Sequence, residues 1–184
     1  MEVTRSPFDI WKCRLNEKAD PISILLCGAK VWENSYQTDH RKHVPRAEWT
    51  TTDIFAGPEV DIVGDLQSLW QTCSKKFDGI FCPAVLEHIE RPWTAVYSMS
   101  QMLKPFGVLH IQTHQTFPLH GYPHDYFRFS QQALQVLCHD AGLEVVASGY
   151  DGPCTITPVS CPIWNPVAEA FLNVTICAMK PGNS

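Results

Sequence analysis

The chain has 184 residues, 45% of them hydrophobic and 18% charged, with a formal net charge of −5. That length suits one domain, and that balance excludes a disordered chain. An acidic surplus argues against a nucleic-acid footprint, and no apolar run is long enough to span a bilayer. Eight cysteines are present without a Cys-x-x-Cys pair, so the spacing of zinc knuckles and thioredoxin-type motifs is missing. Several sit in apolar runs, where a reduced thiol packs as a small hydrophobe. With no basic-then-apolar leader pattern at the N-terminus, the expected location is the cytoplasm.

In chain order, residues 1–21 read as a mixed polar N-terminal segment closed by Asp20-Pro21. Ile22 to Cys27 is a nearly continuous apolar run stopped by Gly28, the pattern of a strand buried on both faces. Val31 to Pro45 is polar and without clear periodicity. Trp49 to Ile54 reads as a second strand ending near Asp53, and Val60 to Val63 as a short third. Asp65 precedes Leu66, Leu69 and Trp70 at helical spacing and is the expected N-cap of a helix. Phe77 to Cys82 is a fourth strand. Pro92 opens a helix carrying Ala95, Val96, Met99, Met102 and Leu103 on one face. Val108 to Thr113 is a fifth strand, followed by a loop rich in histidine, proline and aromatics from His114 to Phe129. Ser130 caps a helix closed at Ala141-Gly142. Leu143 to Ser148 and Phe171 to Met179 are the last strands, with an irregular segment, Tyr150 to Pro166, between them.

Alternating strands and helices predict an α/β fold, a mainly parallel sheet with helices on both faces. The last two strands lack an intervening helix and are expected to pair antiparallel at one edge. Ligands of such sheets bind beyond the carboxyl ends of the parallel strands. That rule selects the segments after Cys27, Thr52, Val63, Cys82 and Thr113.

The ordered segments Asp61-Ile-Val-Gly-Asp65, Phe77-Asp-Gly-Ile80, Val85 to Pro92, Leu103 to Gly107, Thr113 to Pro118 and His120 to Phe129 resemble the motifs of class I S-adenosylmethionine-dependent methyltransferases. The resemblance runs from about Ile22 to Met179. It implies a Rossmann-like seven-stranded sheet with an antiparallel last strand, and S-adenosyl-L-methionine as cofactor. It also implies that Gly28 and Ala29 face the methionine moiety and that Asp53, with Ile54, meets the ribose. Asp65 and the Leu66 backbone would face the adenine, and the stretch from Pro83 to Glu87 and His88 would lie near the sulfonium. The chain departs from the family pattern in its glycine-poor first loop. Leu26 stands where an acidic residue is usual, Lys30, Trp32 and Glu33 follow Gly28, and Phe106 replaces a common glycine.

Methyl transfer is an in-line displacement, and a hydroxyl acceptor benefits from a base active near neutral pH. His114, His120 and His124 are the candidate proton acceptors. Phe117, Tyr122, Asp125, Tyr126 and Arg128 are candidates for the acceptor pocket, with bracing of the loop as the alternative role for Asp125, Tyr126 and Arg128. The loop histidines match no standard ligand spacing, so no metal site is assigned. The expected function is methyl transfer to the oxygen or nitrogen of a small or sugar-like molecule, without nucleic-acid or membrane partners. An inactive ligand-binding relative and a metal-dependent enzyme built on the histidines are the alternatives. A domain this short leaves little chain for a separate substrate domain, so the loops at 114–129 and 150–166, or a second subunit, would close the site.

Overall fold

The computed structural model describes residues 5–31, 39–121, 123–156 and 168–182. Within them seven strands form one sheet: β1 (Ser23–Cys27), β2 (Glu48–Asp53), β3 (Ile62–Val63), β4 (Phe77–Pro83), β5 (Leu103–His114), β6 (Glu144–Ile156) and β7 (Ala168–Met179). Their order is β3-β2-β1-β4-β5-β7-β6. The first five run parallel to their neighbours, and β7 lies antiparallel between β5 and β6. The predicted α/β architecture, with its antiparallel closing strand, is the observed one.

Among the described residues three α-helices cover the sheet: α1 (Pro7–Asn16) on one face, α2 (Pro92–Met102) and α3 (Gln131–Asp140) on the other. The alternating sides of β1 divide the core accordingly. Leu25 and Cys27 join the α2 and α3 layer, while Ile24 packs with α1. Trp11 and Leu15 of α1 are fully buried, each burial being worth roughly 1.5–3 kcal/mol. They lie directly on β4. A Cβ built on Gly79 would sit 3.0 Å from Leu15 Cδ1 and 3.4 Å from Trp11 Cζ2, so only glycine lets α1 approach this closely.

Four expectations need correction. Residues 1–21 are not merely a polar segment. Ser6 caps α1 by accepting from the Asp9 amide at 3.1 Å, Pro7 takes the first turn, and three apolar residues of that short helix turn inward. Asp65 caps no α-helix; its carboxylate accepts from the Gln67 amide at 2.9 Å in a local turn, and only a 3₁₀ turn at Leu69–Gln71 follows. The segment from Tyr150 is not irregular throughout, since β6 continues to Ile156 in register with β7. Fourth, β5 begins at Leu103, before the expected Val108, and its pairing with β4 shifts between Phe77 and Gly79. Phe106 there has φ +59, which explains the family's glycine; its ring lies over Gly182.

Among the described residues the cysteines are free, and Cys27, Cys73, Cys82, Cys138 and Cys177 are buried. Burial pushes the Cys138 and Cys177 thiols up to about 12, as suits thiols that only fill space.

Candidate functional site

The parallel strands β1, β2, β3 and β4 end on one edge of the sheet, and a cavity of about 630 Å³ opens above it. That volume is in the range of cofactor sites. On one side its wall is Gly28, Asp53, Ile54, Asp65 and Leu66; on the other it is His88, Phe117, His120, His124 and Tyr126. Val85 and Ala84 form the floor between them.

The first-loop turn is tightly determined. Gly28 has φ +71 and donates its amide to Thr52 O at 2.9 Å. A Cβ on it would lie 2.3 Å from Val85 Cγ2, so both conformation and packing require glycine. Asp53 ties this turn to the end of β2: its carboxylate accepts from the Lys30 amide and the Phe55 amide, each at 2.9 Å. Each oxygen keeps a lone pair for a further donor. Ala29 and Pro83 lie beside the wall rather than on it, and Trp32 and Glu33 fall outside the described residues.

Glu87 is fully buried in the 3₁₀ turn Leu86–His88 that follows β4. Its Oε2 accepts from Thr113 Oγ1 at 2.7 Å. Its Oε1 accepts no aligned hydrogen bond, yet it faces His114 Nε2 at 3.1 Å and His88 Nε2 at 3.9 Å. The backbone oxygen of Glu87 accepts from the Tyr126 amide at 2.8 Å, which docks the 114–129 loop against this turn.

The other ring nitrogen of each histidine meets an oxygen. His114 Nδ1 is 3.1 Å from Asn173 Oδ1, across the β5–β7 ladder in which these two residues are paired. His88 Nδ1 is 2.5 Å from His124 O, and His120 Nδ1 is 3.1 Å from Pro118 O. A carbonyl can only accept, so the Nδ1 of His88 and His120 carries the proton. The His114 ring stacks on Phe117 with centroids 4.0 Å apart and stands edge-on to His120 at 5.1 Å. Burial holds the His114 imidazole below its ordinary range, with the Glu87 carboxylate opposing.

Asp125 and Arg128 are consumed by the loop itself. Arg128 grips Asp125 through both terminal nitrogens, at 2.5 and 2.7 Å, and also donates to Phe117 O and Pro118 O. Asp125 in turn accepts from the His120 amide at 2.9 Å. The guanidinium holds the Asp125 carboxyl well below the usual carboxylate range. Neither residue lines the cavity. Tyr150 stacks on Phe171 at 4.9 Å and accepts from the Gln131 amide, away from the cavity. Tyr122 falls outside the described residues.

The structure thus brings Gly28, Asp53, Ile54, Asp65, Leu66 and His88 to the same cavity as Phe117, His120, His124 and Tyr126. It sets Glu87 and His114 in a layer behind the wall. Sequence reasoning missed Thr113 and Asn173, the partners of Glu87 and His114. A strand-end threonine and a mid-strand asparagine carry no local signal of such a role.

Residues 30–111 match the family model described as a methyltransferase domain. No curated protein matches the sequence. Among solved structures, a SAM-dependent methyltransferase from Archaeoglobus fulgidus superposes with a TM-score of 0.62 at 13% identity, covering 94% of each chain. The Burkholderia thailandensis 1,6-didemethyltoxoflavin-N1-methyltransferase, solved with its 1,6-didemethyltoxoflavin and S-adenosylhomocysteine, gives 0.65 at 17%, covering 94% of this chain and 76% of that one. The N-methyltransferase NodS of Bradyrhizobium japonicum with S-adenosylhomocysteine gives 0.59 at 15%, covering 97% and 90%. The match over residues 30–111 and the shared fold make the chain similar to S-adenosylmethionine-dependent methyltransferases.

Proposed function

We propose that the chain binds S-adenosylmethionine in the cavity above the strand ends and transfers its methyl group to the oxygen or nitrogen of a small-molecule acceptor. The observation that carries this reading is one cavity of about 630 Å³ with Gly28, Asp53 and Asp65 on one side and His88 and His120 on the other. Its residues fit the cofactor: apolar Ile54, Leu66 and Val85 suit an adenosyl group, and Asp53 retains lone pairs for a diol. Bound there, the cofactor supplies an electrophilic methyl group on a sulfonium.

The chain's own residues position and shield. Asp53 receives ribose hydroxyls while Ile54 packs beside them. Asp65 and the Leu66 backbone meet the adenine edge, and Gly28 and Ala29 present backbone to the methionine end. Pro83 and Glu87 support the floor and the histidine wall from behind. Phe117 and Tyr126 exclude water from the acceptor side. His120, with His114 behind it and His124 beside it, supplies the proton-accepting side of the pocket. The Asp125–Arg128 pair keeps that loop closed over Glu87. Among the described residues no helix is long and apolar enough to cross a membrane. Together with the buried free thiols and the net charge of −5, this supports a cytoplasmic place and an acceptor other than nucleic acid.

Calorimetry with S-adenosylmethionine and S-adenosylhomocysteine tests the reading. Binding of both is expected. Asp53→Ala should weaken it about tenfold or more, the scale of a lost hydrogen bond to a charged group. No binding at millimolar ligand would sink the proposal. Binding without turnover on any hydroxyl or amine acceptor would return the inactive-relative alternative.

A further inference from the structure

Behind the histidine wall, Glu87, His114 and His120 bring acceptor atoms together, and the Arg128 guanidinium acts on Glu87 and His114 only through its field. Glu87 Oε1 is buried and accepts no aligned hydrogen bond. It faces His114 Nε2 at 3.1 Å. The Nδ1 atoms of His114 and His120 are occupied by Asn173 Oδ1 and Pro118 O, which leaves both Nε2 atoms as lone pairs in the neutral rings. One ligand atom from each of Glu87, His114 and His120 lies within 4.8 Å of the others. Acceptors therefore converge on acceptors, an arrangement that costs free energy until a cation or proton sits between them.

We propose that Glu87, His114 and His120 bind a divalent first-row metal ion of the zinc type, with its open coordination side facing the cavity. Two imidazoles and one carboxylate are a donor set of catalytic zinc. Metal–ligand bonds of about 2.0–2.2 Å place neighbouring ligand atoms roughly 3.0–3.5 Å apart, and the Glu87–His114 separation of 3.1 Å already meets that. His120 has to close in by about 1 Å or more, a movement its place on the loop allows. The outward hydrogen bonds match what metal-ligating histidines require, since each ring donates its second nitrogen to an oxygen that fixes tautomer and orientation. A single shared proton would satisfy the Glu87–His114 pair and leave His120 facing lone pairs. His120 and His88 line the cavity, so an ion here would lie against the acceptor.

The inference deepens the methyltransferase reading. A coordinated hydroxyl becomes acidic enough to ionise near neutral pH, losing its proton to solvent. With the ion in place, His114 and His120 act on the acceptor through its charge rather than by taking its proton. His114 and His120 both lie beyond residue 111, where the methyltransferase-domain match ends.

Chelator-treated full-length protein titrated with Co²⁺ tests the site. One equivalent should bind, with visible d–d bands and no thiolate-to-cobalt charge transfer, which separates this cluster from the cysteines. His114→Ala and His120→Ala should each lower Co²⁺ affinity by at least about a hundredfold. Asn173→Ala, which removes only an outer partner, should cost roughly 10–100-fold. Glu87 is buried and Glu87→Gln risks the fold, so the folded His120→Ala variant, verified by circular dichroism, decides. Absence of stoichiometric Co²⁺, a thiolate band, or full affinity in His120→Ala would overturn the proposal. Asp53→Ala should bind Co²⁺ as the parent does while losing S-adenosylhomocysteine. Co²⁺ binding without cofactor binding would keep the metal site and remove the methyltransferase reading.

Discussion

Gly28→Ala is the most direct probe of how the fold shapes the cavity. The substitution acts twice. It places an L residue at φ +71, which costs roughly 1–2 kcal/mol. It also sets a methyl group 2.3 Å from Val85 Cγ2, an overlap whose relief costs about 1–3 kcal/mol in a packed region. The sum, about 2–5 kcal/mol, lowers the melting temperature by roughly 4–20 °C for a chain of this size. The next atoms, Val85 Cβ at 3.7 Å and Pro83 O at 4.0 Å, are at ordinary contact distance. Val85→Ala therefore removes the overlap and leaves only the backbone cost. In a double-mutant cycle followed by thermal unfolding, Val85→Ala should recover about 1–3 kcal/mol of the Gly28→Ala loss. Because Val85 lines the cavity, Gly28→Ala should also weaken S-adenosylhomocysteine binding by calorimetry. An unchanged melting temperature for Gly28→Ala, or additive effects in the cycle, would refute the reasoning.

His110 gives a pH dependence of stability. It is fully buried, and burial lowers its pKa from 6.5 to about 3, so the unfolded chain takes up a proton that the folded chain refuses. Stability should fall as pH drops from 6.5 towards 3, by about 1.4 kcal/mol per unit and so about 2 kcal/mol by pH 5. Urea unfolding at pH 7, 6 and 5 measures this, and the slope should shrink by that amount in His110→Gln. Ser6→Ala removes the cap of α1 and should cost about 1 kcal/mol in the same assay. Arg128→Lys keeps the charge but loses the paired grip on Asp125 and the carbonyl contacts. It should speed proteolytic cleavage within residues 117–127 without lowering the melting temperature much.

The sheet was legible because its signals are local. Ile24 and Leu25 feed opposite cores, so β1 had to be apolar at successive positions, and that run stands out. The helix α1 was missed because only Pro7, Trp11 and Leu15 are buried, among charged neighbours, and a short amphipathic turn is easily read as polar. The helix expected after Asp65 failed for the opposite reason. Leu66, Leu69 and Trp70 do pack inward, but a turn and a 3₁₀ segment bury them as well as a helix would. The extra length of β6 and β7 went unseen because Gly149, Gly152 and Pro153 suggest a loop, although the β6–β7 ladder pairs through them.

Half of the candidate site followed from topology and half did not. Gly28, Asp53 and Asp65 sit at strand ends, so knowing which segments are parallel strands suffices to bring them together. The histidine cluster depends instead on contacts between distant stretches: a turn after β4, the end of β5, a loop and β7. Spacing within the loop shows no ligand set, because the cluster draws on residues elsewhere in the chain. Its carboxylate comes from Glu87 and its orienting amide from Asn173, which lies opposite His114 only because β7 inserts beside β5. That insertion is what makes His114 a partly buried group with a fixed ring orientation. The same strand that completes the fold thereby sets the geometry on which the chemistry of this wall rests.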